Sequence, residues 1–241
     1  MAIYVLVHGS WHDGALWGPV AEHLRADGHE VHTPTVAGHG IGVRKDVDHD
    51  DCVSSIVDYV VERSLTGFVL LGHSFGGTVI ARVAEEIPDR ITRLVFWNAF
   101  VPLPGNCLMD EVPPHYREMF EGLAAASDDN TVPMPFPVWR DAFIQDADLE
   151  LATSTHRQLS TEPFTPFTDR LDLQRFYALD IPKSYINATE DTALPQGEWG
   201  WHPRMSNRLG AFRLVQLPGS HEVMFTAPEL LARKIVEAGR S

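Results

Sequence analysis

The stretch Gly67-Phe68-Val69-Leu70-Leu71-Gly72-His73-Ser74-Phe75-Gly76-Gly77-Thr78-Val79 decides how this chain is read. Phe68 to Leu71 is an apolar run with the length and makeup of a buried strand. Residues 79–84, Val-Ile-Ala-Arg-Val-Ala, continue as a helix. Between them lies Gly72-His73-Ser74-Phe75-Gly76, a G-x-S-x-G pentapeptide. A strand, a sharp turn and a helix are the setting in which such a serine sits exposed at the apex as a nucleophile. Gly72 and Gly76 keep side chains away from the converging strand and helix backbones. With Gly and Ser each near ~7% of residues, the pentapeptide arises by chance in roughly 8% of chains this long. Its placement therefore carries the argument.

Outward from this turn, strand and helix signals alternate. Strand-like runs cover 3–8, 30–33, 68–71, 94–97, 184–187 and 212–217, several of them almost wholly apolar, as parallel strands covered on both faces are. Helical patterns cover 16–25, 52–63, 78–86, a stretch near 198–209, and 228–238. Thr226 with Glu229 three residues on predicts a capping box for the last helix, and Gly28 predicts a helix stop before the second strand. The expectation is an α/β fold with a mostly parallel six-stranded sheet flanked by helices.

The alternation breaks between 101 and 181, where prolines crowd at 102, 104, 113, 114, 133, 135 and 137, with short helical patterns at 116–125 and 141–158. Phe120, Phe136, Trp139 and Phe143 give this segment enough apolar surface to pack over the site. It reads as a helical cap (101–181) inserted into a core formed by 1–100 and 182–241, the whole making one structural domain.

The length of 241 residues suits one such domain, and 44% apolar with 22% charged residues is ordinary for a globular chain. A net charge of −14 argues against nucleic acid or an anionic membrane as partner. Cys52 and Cys107 lie far apart, show no metal or redox spacing, and read as free thiols in a reducing compartment. The chain runs directly into a strand at Ile3, with no secretory pattern and no apolar run near the ~20 residues of a membrane span. A cytoplasmic location is the expectation. The run Asp46-Val47-Asp48-His49-Asp50-Asp51 fails as a calcium loop, lacking the sixth-position glycine and placing Val57 where a bidentate glutamate belongs. Acidic residues here suit the start of a helix instead, and no metal is expected.

A serine hydroxyl needs a base to take its proton, and the base needs an acid to fix its orientation. In this architecture the order is Ser, acid, His, each partner following a later strand. His221 is the strongest histidine, after the last strand and the turn Pro218-Gly219-Ser220. His73 adjoins Ser74 but points elsewhere, and His202 follows no strand end. For the acid, Glu190 and Asp191 compete after the fifth strand, with Asp180 a weaker third. The backbone N–H of Phe75 is one expected oxyanion donor and that of Ser10 the second, with the Ser10 hydroxyl as an extra. His8 reads as a structural hydrogen-bonder.

Taken together, these residues resemble the plant methylesterase and hydroxynitrile lyase family of α/β-hydrolases, which includes the methyl salicylate esterases. The likeness spans nearly the whole chain. It rests on Val7-His8-Gly9-Ser10 with Trp17, on 28–31 (Gly-His-Glu-Val), on 72–77, on 96–102 (Phe-Trp-Asn-Ala-Phe-Val-Pro), on Thr189-Glu190-Asp191 and on Gly219-Ser220-His221. The resemblance implies the triad Ser74, Asp191 and His221, with Ser10 and Phe75 at the oxyanion hole. It implies a cofactor-free hydrolase of small lipophilic or aromatic esters, and a homodimer. The lyases carry threonine after the first-strand histidine and lysine after the last one, where this chain has Gly9 and Glu222. A carboxylate at 222 would repel cyanide, which favours ester hydrolysis. Trp11 departs from the smaller residue of the plant enzymes, and the composition suits a bacterial member. Trp11, Phe100, Phe136, Trp139 and Phe143 are the candidate pocket residues. Rival readings are a lyase, cyclase or cofactor-free oxygenase on the same fold, and a small-molecule receptor that turns over slowly.

Overall fold

Six parallel strands carry the molecule: β1 (Ile3–Val7), β2 (Glu30–His32), β3 (Phe68–His73), β4 (Ile91–Trp97), β7 (Lys183–Ala188) and β8 (Phe212–Leu217). Their order across the sheet is β2-β1-β3-β4-β7-β8. The remaining two, β5 (Thr131–Val132) and β6 (Glu162–Pro163), pair antiparallel in a separate small ribbon. The structure is a computed structural model and describes residues 1–240.

Alternation along each strand feeds two apolar layers. Val5 and Val7, Phe68 and Leu70, Leu94 and Phe96 face helices α2 (His49–Glu62) and α3 (Gly76–Glu86). Tyr4 and Leu6, Val69 and Leu71, Val95 and Trp97 face α1 (Gly18–Ala26) and the C-terminal helix Pro228–Gly239. All six residues of β3 are buried, which explains its unbroken apolar run. Gly28, at φ +82°, turns the chain out of α1 into β2. The acidic run at 46–51 begins a helix: Asp48 Oδ1 accepts from Asp51 N at 2.8 Å, and Asp51 Oδ2 accepts from Asp48 N at 3.1 Å. This reciprocal box starts α2 three residues ahead of the sequence expectation.

Three local expectations fail. Thr226 does not cap the last helix, which starts after Ala227; its hydroxyl instead donates to Asp146 Oδ2 at 2.9 Å. Pro228 opens the helix, where its missing N–H costs nothing. The stretch 198–209 holds only a short 3₁₀ turn, Ser206–Leu209, because Gly197, Gly200 and Pro203 interrupt its apparent periodicity. The pattern at 141–158 splits into a π-turn, Trp139–Phe143, and a helix, Leu149–His156, whose N-cap Asp148 accepts from Leu151 N at 2.8 Å.

Between β4 and β7 the chain leaves the sheet through helix α4 (Pro114–Ala125), the β5–β6 ribbon and several short turns. Phe120, Trp139, Phe143 and Phe167 of this excursion join one continuous apolar cluster with Phe75 and Val79 of the core. Cys52 and Cys107 are free and buried. Among the described residues no helix is long and apolar enough to cross a membrane.

Candidate active site

Ser74 directly follows β3 in the left-handed region, at φ +52°, and α3 starts two residues later. Backbone bonds hold the turn: Ser74 N donates to Trp97 O at 3.2 Å, while Ser74 O accepts from Gly77 N (3.0 Å) and Phe100 N (3.1 Å). A Cβ at Gly76 would lie 2.6 Å from His8 O, and one at Gly72 would lie 2.5 Å from Gly76 O. Only glycine lets strand and helix close this tightly.

His221 and Asp191 meet at the carboxyl ends of β8 and β7. His221 Nδ1 donates to Asp191 Oδ2 at 2.6 Å, and both side chains are fully buried. With the proton on Nδ1, Nε2 is left as an acceptor. Asp191 receives two further donors, the Asn98 amide at Oδ2 and Ala193 N at Oδ1 (2.8 Å). Asn98, at φ +32°, is fixed in turn by Ala188 N donating to its Oδ1 at 2.8 Å. Glu190 and Asp180 are exposed, so Asp191 alone among the three faces His221. His202 accepts or donates only locally, to Ser206 Oγ at 2.7 Å. Asn98 has no assigned role in the sequence analysis; its signal is a polar residue directly after the apolar run Leu94 to Trp97. No bond from Ser74 Oγ to His221 occurs among the described residues, although both line one cavity. Such bonds often form only when substrate is in place.

The N–H groups of Ser10 and Phe75 are unengaged among the described residues. The turn carrying Ser10 is held from outside. Trp11 takes the left-handed φ of +63°, rare for so large a residue. Its N–H donates to Glu162 Oε2 at 2.7 Å, its indole N–H donates to Val132 O at 2.8 Å, and its carbonyl accepts from Ser160 N at 2.9 Å. Glu162 also meets His39 Nε2 at 3.1 Å. Burial alone would lower the His39 pKa, but the Glu162 charge and hydrogen bond outweigh it and raise it. His8 is a strut: its Nε2 accepts from Val36 N at 3.0 Å, so its Nδ1 donates to Gly9 O at 2.8 Å.

These groups open on a cavity with largely apolar walls. Of the predicted pocket residues, Trp11, Phe100 and Phe143 line it. Phe136 and Trp139 do not. Trp139 is fully buried one layer back, its indole N–H shared between Ala152 O (3.2 Å) and Thr155 Oγ1 (3.3 Å), and Phe136 packs on His156. The walls gain Tyr116, Phe120, Phe167 and Trp201 instead. Burial, helped by the Asp191 charge, pushes the Tyr116 phenol up to about 12, so it stays neutral.

Glu222 corrects a second expectation. Its side chain does not line the cavity; it lies buried beside His12, with Oε2 3.4 Å from His12 Nε2. Burial raises its carboxyl pKa well above the usual range. Because it does not line the cavity, it does not face a cyanide released there, and the argument from Glu222 falls. Gly9 still separates this chain from the lyases. A Cβ there would sit 3.0 Å from both Ser74 Cβ and His73 Nδ1, leaving little room for threonine. His12, His73 and Glu222 bring ligand atoms within 4.8 Å of one another, the one grouping of metal-ligand type among the described residues. Burial lowers His12 to about 3 and His73 well below its ordinary value, so both imidazoles resist protonation. His73 Nε2 donates to the His221 carbonyl at 3.1 Å, a positioning contact.

A parallel sheet with a strained serine turn and a buried His–Asp pair at its carboxyl edge is the architecture of the α/β hydrolases. The alpha/beta hydrolase family model matches residues 4–234, and the chain belongs to that family. An extracellular α/β-hydrolase from a Paenibacillus species, described as sharing structural and functional homology with tobacco Salicylic Acid Binding Protein 2, is similar at 45% identity. Its TM-score is 0.98, over 100% of both chains. A carbendazim hydrolyzing esterase of Nocardioides is 29% identical over 99% of this chain and 100% of its own. Methylesterase 1 of Arabidopsis thaliana is 36% identical over 95% and 92%. These likenesses support ester hydrolysis.

Proposed function

We propose that this chain is a serine-dependent carboxylic ester hydrolase acting on a small lipophilic or aromatic ester, methyl esters and lactones included. The observation that carries the reading is the 2.6 Å bond from His221 Nδ1 to Asp191, in a cavity wall that also contains Ser74. His221 Nε2 takes the proton of Ser74 Oγ as that oxygen bonds to the ester carbon. The carbonyl electron pair moves onto oxygen, where the Ser10 and Phe75 N–H groups and the N-terminus of α3 receive the charge. Collapse expels the alkoxide with a proton from His221, and water repeats the sequence on the acyl-enzyme.

Aromatic and aliphatic walls favour an apolar acyl or alcohol portion. Segment 101–181, which supplies Phe120, Phe143 and Phe167 to those walls, is read as the cap. The two unpaired thiols suit a reducing compartment, and cytoplasmic location is part of the proposal, although the Paenibacillus relative is described as extracellular. Fractionation of the native host tests it.

The decisive experiment incubates the protein with a fluorophosphonate probe and a panel of p-nitrophenyl esters, alongside Ser74→Ala. Labelling that maps to Ser74, with turnover lost in the variant, is the expected result. A wild type that neither labels nor hydrolyses sinks the reading. Labelling with negligible turnover across the panel favours the receptor.

A further inference from the structure

The imidazole of His221 is enclosed by rings as well as by hydrogen bonds. Trp201 lies nearly parallel to it, the planes 14° apart and the centroids 5.2 Å apart. Phe143 meets it edge-on at 5.3 Å and 90°, and His73 lies at 4.5 Å, tilted by 39°. Trp201 also lines the cavity and is braced by Phe100, at 4.9 Å and 68°. Its indole N–H has no hydrogen-bond partner among the described residues, so this ring is not held by its own polar atom.

The chain on either side does the holding. Arg204, three residues on, donates to the buried Glu111 carboxylate at 2.6 Å, to Glu111 O at 3.1 Å and to Trp199 O at 3.2 Å. Arg208 meets the other Glu111 oxygen at 2.9 Å and donates to Val101 O at 2.7 Å. Asn106 donates to Glu111 Oε1 at 3.1 Å. A buried carboxylate bound by two guanidiniums is a costly element unless every partner is kept. Here it fixes the loop that presents Trp201 to His221.

We propose that Trp201 is a catalytic residue, whose indole face stabilises the imidazolium that His221 becomes in the reaction. The inference rests on the ester-hydrolase reading above. When the Ser74 O–H bond breaks, the Nε2–H bond forms and one positive charge spreads over the ring. The negative charge appears at the same moment on the carbonyl oxygen. Asp191 meets the cation in the ring plane, and the electron-rich indole face meets it from above, within the range of a cation–π attraction. Neutral imidazole gains far less, so the contact strengthens on the way to the transition state.

The other titratable groups facing His221 are Asp191, Glu222 on its own loop, His73 at the end of β3, His12 from the loop after β1, and Tyr116 from α4. Fluorination of one indole alters none of them. The test therefore places 5-fluoro- and tetrafluorotryptophan at position 201 alone by nonsense suppression, beside Trp201→Phe and Trp201→Leu. It reads kcat, KM and the pH profile of kcat/KM on a p-nitrophenyl ester. The expected result is a graded fall in kcat, ~10-fold at the tetrafluoro and Leu ends. The acidic limb should move about half to one unit to lower pH, with KM little changed and Phe intermediate. If Ser74 still labels but kcat and the acidic limb stay constant across the fluorinated series, the proposal is overturned. If the unmodified protein shows no Ser74 labelling and no acidic limb, the hydrolase reading has failed instead. A Leu variant that does not fold leaves the isosteric fluorinated series to decide.

Discussion

Two buried acids flank the loop of His221, and they are treated in opposite ways. Asp191 receives three donors: the His221 imidazole, the Asn98 amide and the Ala193 N–H. Among the described residues, Glu222, one residue along the chain from His221, has an oxygen with no hydrogen bond and sits 3.4 Å from His12, whose two ring nitrogens also lack hydrogen bonds. Both acids are at most 2% exposed. Burial is thus common to them, and the difference is the supply of donors. One acid accepts in an ordered network, and the other lies where burial favours its protonated form. Neighbouring acids cannot be assigned roles from residue type or proximity to a catalytic position.

Removing the acceptor should break this contrast most severely. Asp191→Asn keeps the shape but leaves His221 Nδ1 without its carboxylate, and kcat should fall ~10⁴-fold. A matched Glu190→Gln should leave kcat within about twofold. If Glu190→Gln proved the more damaging of the two, the assignment of the acid would be wrong. Asn98→Ala removes one donor and loosens Asp191 without touching the reacting atoms, and a ~10–100-fold loss in kcat is expected with Ser74 still reactive to the fluorophosphonate. A loss confined to KM would show that Asn98 shapes the pocket instead.

The smallest effect belongs to Glu222→Gln, which should leave kcat within about twofold and change the pH dependence of stability. Folded Glu222 keeps its proton well above the 4.5 at which the unfolded chain releases it. Its stabilising contribution is complete below pH 4.5 and is lost, at about 1.4 kcal/mol per pH unit, as pH rises towards the folded value. Urea titrations should find the variant and wild type similar at pH 4, with the variant gaining towards pH 7. A gap that does not widen with pH would mean that Glu222 is ionised in the folded protein. His12 acts with the opposite sign. It stays neutral down to about pH 3, so its contribution is present above 6.5 and lost as pH falls between these values.

The sheet was legible because its strands are covered on both faces, and a run such as Phe68–Leu71 admits few other readings. The convergence of Ser74, Asp191 and His221 on one edge was legible for a related reason. Parallel strands deliver their carboxyl ends to one edge, so residues after β3, β7 and β8 must converge. Nothing comparable constrains segment 101–181. Whether Phe136, Trp139 or Phe120 reaches the cavity depends on how short turns rotate, and the π-turn at Trp139–Phe143 moves Trp139 one layer back. Trp201 was hidden by its loop, whose Gly and Pro residues mimic a broken helix. Thr226 misled because a box pattern does not reveal that Pro228 and Asp146 compete for the same position and hydroxyl.

The bonds around Trp11 couple two properties usually discussed apart. Glu162, Val132 and Ser160 belong to the excursion that roofs the cavity, yet they grip the turn that offers the Ser10 N–H. In the proposed mechanism, any remodelling of the roof that shifts this ribbon also shifts the Ser10 N–H assigned to the oxyanion. Substrate range and turnover rate are therefore not independent variables for selection or for the engineer. A roof graft chosen for fit alone would arrive with a slower enzyme unless Glu162 and its two neighbours came with it.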